Sequence, residues 1–349
     1  MIIPIIPDNI SWVVNILLLI SKAYAWQISN SSVSLPLSLP LLLLIPSNTQ
    51  AVLASLVDSF VDLVSQLVIF LAEYKARRHD ERFPVGQARL ETLGVLACAV
   101  IMGIASAQVI IESSSTLYDG LVLGELPVID ASLVMYLVLG SATVLKAVCY
   151  AICQVLASRS DSMEALAEDH LNDIMSNIAA AATAALATQI DGCWWIDASV
   201  AILLSFLIIT RWISISMVQV GKIVGREAPQ EFMNQLSCLI NSFQVEVDSC
   251  KAYHWGSRYL VELEIVLPVD TPFQAVHDLS LALQIKIESM QEVERAFVHA
   301  DYQRRELPEH RTERVLRGLP VPKPPSPALL SSPTAAAATS TQPVMATVP

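Results

Sequence analysis

Six stretches of this chain, approximately residues 11–29, 51–74, 92–114, 129–157, 166–190 and 194–217, stay apolar over the roughly 20 residues a helix needs to cross a bilayer core. Few folds remain open to such a sequence. Hydrocarbon offers no water to the backbone, so each crossing segment must satisfy its own N–H and C=O groups, and a helix does this within itself. Composition agrees: only 15% of the residues are charged and the mean hydropathy is +0.53, whereas soluble domains carry about a quarter charged residues. The expected fold of residues 11–220 is an all-α six-helix transmembrane bundle, preceded by a short amino terminus, 1–10.

Basic residues orient the bundle. The connection KARRHDERFPVGQAR holds Lys75, Arg77, Arg78, Arg82 and Arg89, whereas no Lys or Arg occurs from there to Lys146, between Lys22 and Lys75, or between Arg159 and Arg211. Cytoplasmic loops collect Lys and Arg, which puts the 75–91 loop, the loop around Arg159 and everything after Lys222 inside, with both termini in the cytosol. Residues 11–29 lack a basic n-region and read as a retained span. The apolar stretch VSLPLSLPLLLLIP (33–46) is too short and too rich in proline for a seventh span.

After the sixth span the pattern changes. Residues 221–303 read as helix, strand, strand, helix, strand, a small α+β domain with helices on one face of a three-stranded sheet. From 304 to 349 the chain is rich in Pro, Ala, Ser and Thr and reads as disordered. The formal charge of −12 argues against a nucleic-acid partner. The six cysteines show no CxxC or disulfide spacing, and no Gly-Lys-Ser/Thr phosphate loop points to a nucleotide.

Chemistry is concentrated inside the membrane. An ionisable side chain at a helix centre costs roughly 2.5–3.5 kcal/mol, so it marks a site or pathway. SLVDSFVDLVSQ places Asp58 and Asp62 one helical turn apart, with Ser55, Ser65 and Gln66 extending that face. EDHLNDIMSN does the same with Asp169 and Asp173, and Asn172, Ser176 and Asn177 continue the stripe. If the second and fifth spans are neighbours, the four carboxylates converge on one divalent cation. Unloaded, the cluster holds at least one proton, because close like charges cannot all stay ionised. Metal and proton would then exchange.

Two positions admit a second reading. Asp169 lies near enough to the start of its span to be a cap or interfacial residue, and His170, three residues before Asp173, could take its place as ligand; the i, i+4 spacing favours Asp169, with His170 as an outer partner. Asp58 and Asp62 lie in a basic-free half of the chain, with no Lys or Arg to pair with. Lys146 and Arg211 read as side chains snorkelling to the cytosolic interface.

Together the paired DxxxD motifs, the loop FPVGQARLETLGVL and the stretch AYHWGSRYLVELEIVLPVDTP…VERAFVHADY resemble the cation diffusion facilitator (cation efflux) family, in particular its manganese-type branch, over roughly residues 51–303. The resemblance implies a homodimer of six-helix protomers in the lipid bilayer, a cytosolic ferredoxin-like domain (αββαβ) that dimerises, and secondary active transport rather than an enzyme. No cofactor is held permanently: a divalent cation is carried, Mn2+ by preference, with protons as counter-ion. The family's transport site falls on Asp58, Asp62, Asp169 and Asp173; zinc-type relatives carry His at the position of Asp169. By analogy with manganese-type members Asn15 is a candidate further oxygen ligand, an interhelical hydrogen bond being its other reading; His170, Asn172 and Asn177, which lie near the aspartates by helical spacing, are candidates to stand behind them, and His254, His277, His299 and Asp301 are candidates for a cytosolic regulatory metal site. Residues 33–50 depart from the family pattern as a lumenal insertion beside Asp58. The expected function is Mn2+ efflux from the cytosol across an endomembrane (vacuole, Golgi or endosome); the alternatives are a Zn2+ or Fe2+ transporter of the same family and a non-transporting metal sensor or scaffold.

Overall fold

The computed structural model describes residues 47–78, 80–126, 133–157, 160–190, 192–304, 307 and 310–321, with side chains of its first helix from Phe60 onward. The expected span 11–29 with Asn15, the stretch 33–46 and the tail from 322 lie outside the described residues.

Five helices stand where the second to sixth spans are expected: α1 (Ser47–Ala76), α2 (Arg89–Tyr118, continuing into a π turn, Asp119–Leu123), α3 (Leu133–Leu156), α4 (Asp161–Gln189) and α5 (Trp195–Val224). Residues 47–50, read from sequence as the end of a loop, form the first turn of α1. Among the described residues, three segments are long and apolar enough to cross a membrane: Arg89–Leu123, Leu139–Leu156 and Trp195–Val224. The polar stripe Asp169, His170, Asn172, Asp173 and Asn177 interrupts the apolar run of α4.

Helix boundaries follow local chemistry. Ser160 is extended before α4, and Asp161 and Glu164 lie in the first turn, where carboxylates complement the helix dipole. α5 ends at Gly225, in the left-handed region at φ +92°. α1 and α2 approach so closely that a Cβ built on Gly94 would stand 2.4 Å from the Ala72 Cβ. Ile69, Val95, Met102, Met163, Leu166 and Trp212 join the helices in one apolar core.

The second unit follows the expected order: α6 (Gln230–Asn241), β1 (Glu246–Trp255), β2 (Arg258–Val266), α7 (Phe273–Glu288) and β3 (Val293–Asp301), then a short α8 (Arg311–Leu316). β1 and β2 form an antiparallel hairpin, and β3 joins β2 in parallel, giving the order β1-β2-β3. Parallel neighbours need a crossover, which α7 provides. Val261, Leu263 and Ile265 alternate along β2 and pack with Phe232, Leu236, Ile240, Leu283 and Ile287 from the two helices. The opposite face is polar: the Tyr253 hydroxyl donates to Glu262 at 2.6 Å and Ser249 to Glu264 at 2.8 Å.

The hairpin tip seats against the helical unit. Glu91 of α2 accepts hydrogen bonds at 2.8 Å from Ser257 at the tip and from Ser160 before α4, and the Arg89 guanidinium lies 3.3 Å above the Trp255 ring. Between them Gly256 has φ +72°, and a Cβ there would come within 2.7 Å of the Arg89 backbone. A left-handed L-residue costs about 1–2 kcal/mol before any clash. Gly256→Ala is therefore expected to cost at least that much and to loosen the two units. A lower thermal midpoint and new proteolytic cleavage near residue 225 are the readouts; unchanged values contradict the docking argument.

His254 sits just before this tip, buried on the core face of β1. Its ring lies 4.7 Å from that of Tyr259, and its Nδ1 donates to the Gly256 carbonyl at 3.2 Å. Burial pushes the imidazole below its ordinary value of 6.5, against a smaller opposing effect of the Gly256 bond. The unfolded chain takes up the proton first as pH falls. The stabilisation is full above 6.5 and is lost as pH falls from there through the lower folded value. Thermal unfolding over that range should show the drop, and His254→Phe should flatten it; equal slopes in both proteins would contradict this.

Candidate metal site in the helical unit

Four helices bring ionisable and amide groups to one place. α1 contributes Asp62, Ser65 and Gln66; α3 contributes Lys146; α4 contributes Asp169, His170, Asn172 and Asp173; Cys98 of α2 lies behind, its thiol beside the Ser65 hydroxyl. α1 packs mainly on α2 and α3 mainly on α4, so α1 and α4 meet over only a narrow contact. The site is where they meet. Asp58 lies one turn before Asp62 in α1.

Asp169 is 1% exposed and His170 fully buried, whereas Asp173 is half-buried. One ligand atom from each of the three lies within 4.8 Å of the other two, the one such group of three among the described residues. α-Helical geometry explains it: positions 169 and 173 stack one turn apart, and 170 is adjacent to both. His170, read from sequence as an outer partner, thus lies close enough to be a ligand itself.

The centre is occupied by a residue that the sequence reading sent elsewhere. Lys146 is 4% exposed, and its Nζ donates to Asp62 Oδ2 at 3.3 Å and to Asp173 Oδ2. It does not snorkel to an interface, and Asp62 does have a basic partner. Carboxylates from two helices in poorly solvated surroundings hold an ammonium more strongly than a distant water layer draws it away. A signal for this was present: Lys146 is the one basic residue between Arg89 and Arg159, and an unaccompanied charge in an apolar run needs an internal partner.

Around this centre, both carboxylate oxygens of Asp169 and both amide atoms of Gln66 and Asn172 are buried without a hydrogen bond of normal geometry. Each such atom costs roughly 1–3 kcal/mol unless something polar meets it. Oxygen atoms of this kind suit a hard divalent cation. Asn177 lies half-buried one turn beyond Asp173.

A cleft of about 410 Å³ opens beside the site between α3, α4 and α5, lined by Tyr150, Gln154, Glu164, Glu168, Leu171 and Arg211. Arg211, expected to snorkel, has its Nε 2.5 Å from Glu168 Oε1, with 41% of its side chain exposed. The acidic rim begins one residue before Asp169.

The candidates in the second unit do not gather. His254 is buried against Tyr259, His277 is exposed on α7, and His299 and Asp301 lie on the polar sheet face. The core separates α7 from that face, so His277 and the His299–Asp301 pair stand on opposite sides of the sheet.

Comparison with known proteins bears on these features together. A family model described as the cation efflux transmembrane domain matches residues 37–223. The chain is 32% identical over 311 residues to metal tolerance protein 7 of Oryza sativa subsp. japonica, covering 87% of this chain and 73% of that one. It is 33% identical over 294 residues to metal tolerance protein 11 of Arabidopsis thaliana (83% and 73%) and 34% identical over 274 residues to metal tolerance protein 5 of rice (76% and 63%). The matched span includes every helix that contributes to the carboxylate site, and the chain belongs to the cation efflux family of membrane metal transporters.

Proposed function

We propose that the protein exports Mn2+ from the cytosol across an endomembrane by proton antiport, through the site formed by Asp58, Asp62, Asp169 and Asp173. The observation that carries this reading is the convergence of Asp62, Asp169 and Asp173 with the buried amides of Gln66 and Asn172. All are oxygen donors, and hard ligands favour Mn2+ over softer ions. The protein acts as a homodimer of six-span protomers, with both termini and the ferredoxin-like αββαβ domain in the cytosol. When the metal leaves, protons and Lys146 neutralise the carboxylates. The acidic cleft beside α4 is the cytosolic approach, since its Glu164 and Glu168 attract cations toward Asp169.

His170 supports a second reading. Its place within 4.8 Å of both aspartates offers an imidazole to a borderline ion, which favours Zn2+. Purified protein in proteoliposomes with an internal pH dye decides between them. Mn2+-stimulated proton flux exceeding that with Zn2+ is the expected result. A larger response to Zn2+ supports the second reading, and no response to either ion overturns transport in favour of a sensor or scaffold.

A further inference from the structure

We propose that Lys146 is a tethered cation that fills the transport site in the absence of substrate and must withdraw for metal to bind, so that it competes with the metal and sets the affinity of the site. This rests on the transport reading above. The Nζ of Lys146 lies between Asp62 Oδ2 and Asp173 Oδ2. A divalent ion bridging α1 and α4 has to use those same two oxygens. Ammonium and metal cannot share them, because like charges a few ångströms apart repel strongly where water is excluded.

Charge balance separates this arrangement from an ordinary structural ion pair. Three carboxylates, Asp62, Asp169 and Asp173, face one ammonium. A buried pair that served stability alone would approach neutrality. Three carboxylates can hold one divalent ion in place of the single ammonium. The lysine stem is long and flexible enough to withdraw, and the acidic cleft begins one turn along α3 at Tyr150 and carries Glu164 and Glu168. An ammonium in the empty site also holds α1, α3 and α4 together until substrate arrives.

The test is Mn2+ titration of the purified full-length protein by calorimetry. Lys146→Met, which keeps the volume and removes the charge, is expected to bind Mn2+ roughly tenfold tighter or more than wild type, and Lys146→Arg to bind no tighter than wild type. Binding by Lys146→Met that is unchanged or weaker, with wild type binding normally, overturns the lysine proposal and leaves the transport reading standing. Absence of binding in both overturns the transport reading and the proposal with it. Binding by Lys146→Met alone supports the lysine as competitor and overturns transport by the native chain.

If Lys146→Met does not fold, the unsubstituted protein carries the test. Labelling with an amine-reactive reagent, read by mass spectrometry, is expected to rise at Lys146 when Mn2+ expels the amine from its carboxylates. Labelling that stays level or falls overturns the proposal.

Discussion

Asp173→Ala is expected to reduce Mn2+-stimulated proton flux by about a hundredfold or more and to abolish the protein's ability to protect manganese-sensitive cells. A charge-assisted contact contributes roughly 1.5–3 kcal/mol, and about 2.7 kcal/mol corresponds to a hundredfold change in rate. In the proposed site Asp173 makes one such contact to the metal, and in the empty site it holds Lys146. Its loss also leaves the ammonium resting on Asp62 alone, and breaking a buried ion pair costs about 3–5 kcal/mol of stability. Asp173→Asn removes the charge while the amide fills the same space, so it separates loss of charge from loss of packing. Flux is read per amount of each variant in the membrane, judged by immunoblot, and both variants should fail on that scale. Tolerance equal to wild type in either would sink the proposed transport site. Asp62→Ala should behave in the same way.

The second large effect is one of selectivity. Asp169→His is expected to reverse the preference for Mn2+ over Zn2+, with a change of roughly tenfold or more in the ratio of the two fluxes. Asp169 is a buried carboxylate whose oxygens make no hydrogen bond of normal geometry. An imidazole there, with His170 beside it, would give two nitrogen donors and one oxygen donor from α4 alone. Such a set suits a tetrahedral borderline ion and disfavours the larger, oxygen-seeking one. Measuring both ions in the same proteoliposomes gives the ratio directly. A variant that loses both activities equally would show that Asp169 supports the site without selecting its ion.

Much of this was legible from local pattern. Apolar length located α1 to α5, with ends that differ by one to seven residues, since a segment that satisfies its own backbone needs no information from elsewhere. The one-turn spacing of Asp169 and Asp173 put both on one face of α4, where they are found. The pattern of 221–303 gave two successive strands, and in the second of them Val261, Leu263 and Ile265 are found alternating into the core. Lys146 was different. Its partners Asp62 and Asp173 are 84 and 27 residues away in sequence, and helical periodicity says nothing about which neighbouring helix a side chain meets. A rule that holds for lysines near helix ends, that they reach for water, was applied to one held between carboxylates. The contact of Gly256 with the Arg89 backbone was likewise not legible, because it belongs to the docking of two units.

The sequence by itself determined that the chain is helical in the membrane, that paired carboxylates lie on two of those helices, and that a small α+β unit follows. Composition, period and spacing are local properties, and they act before any tertiary contact forms. Only the tertiary structure decided which charges neutralise one another: it set Lys146 between α1 and α4, joined Arg211 to Glu168, and placed His277 and His299 on opposite sides of a sheet. The reason is physical. In a medium that solvates charge poorly, each ionised group takes the best partner within reach, and reach is set by helix packing rather than by position along the chain.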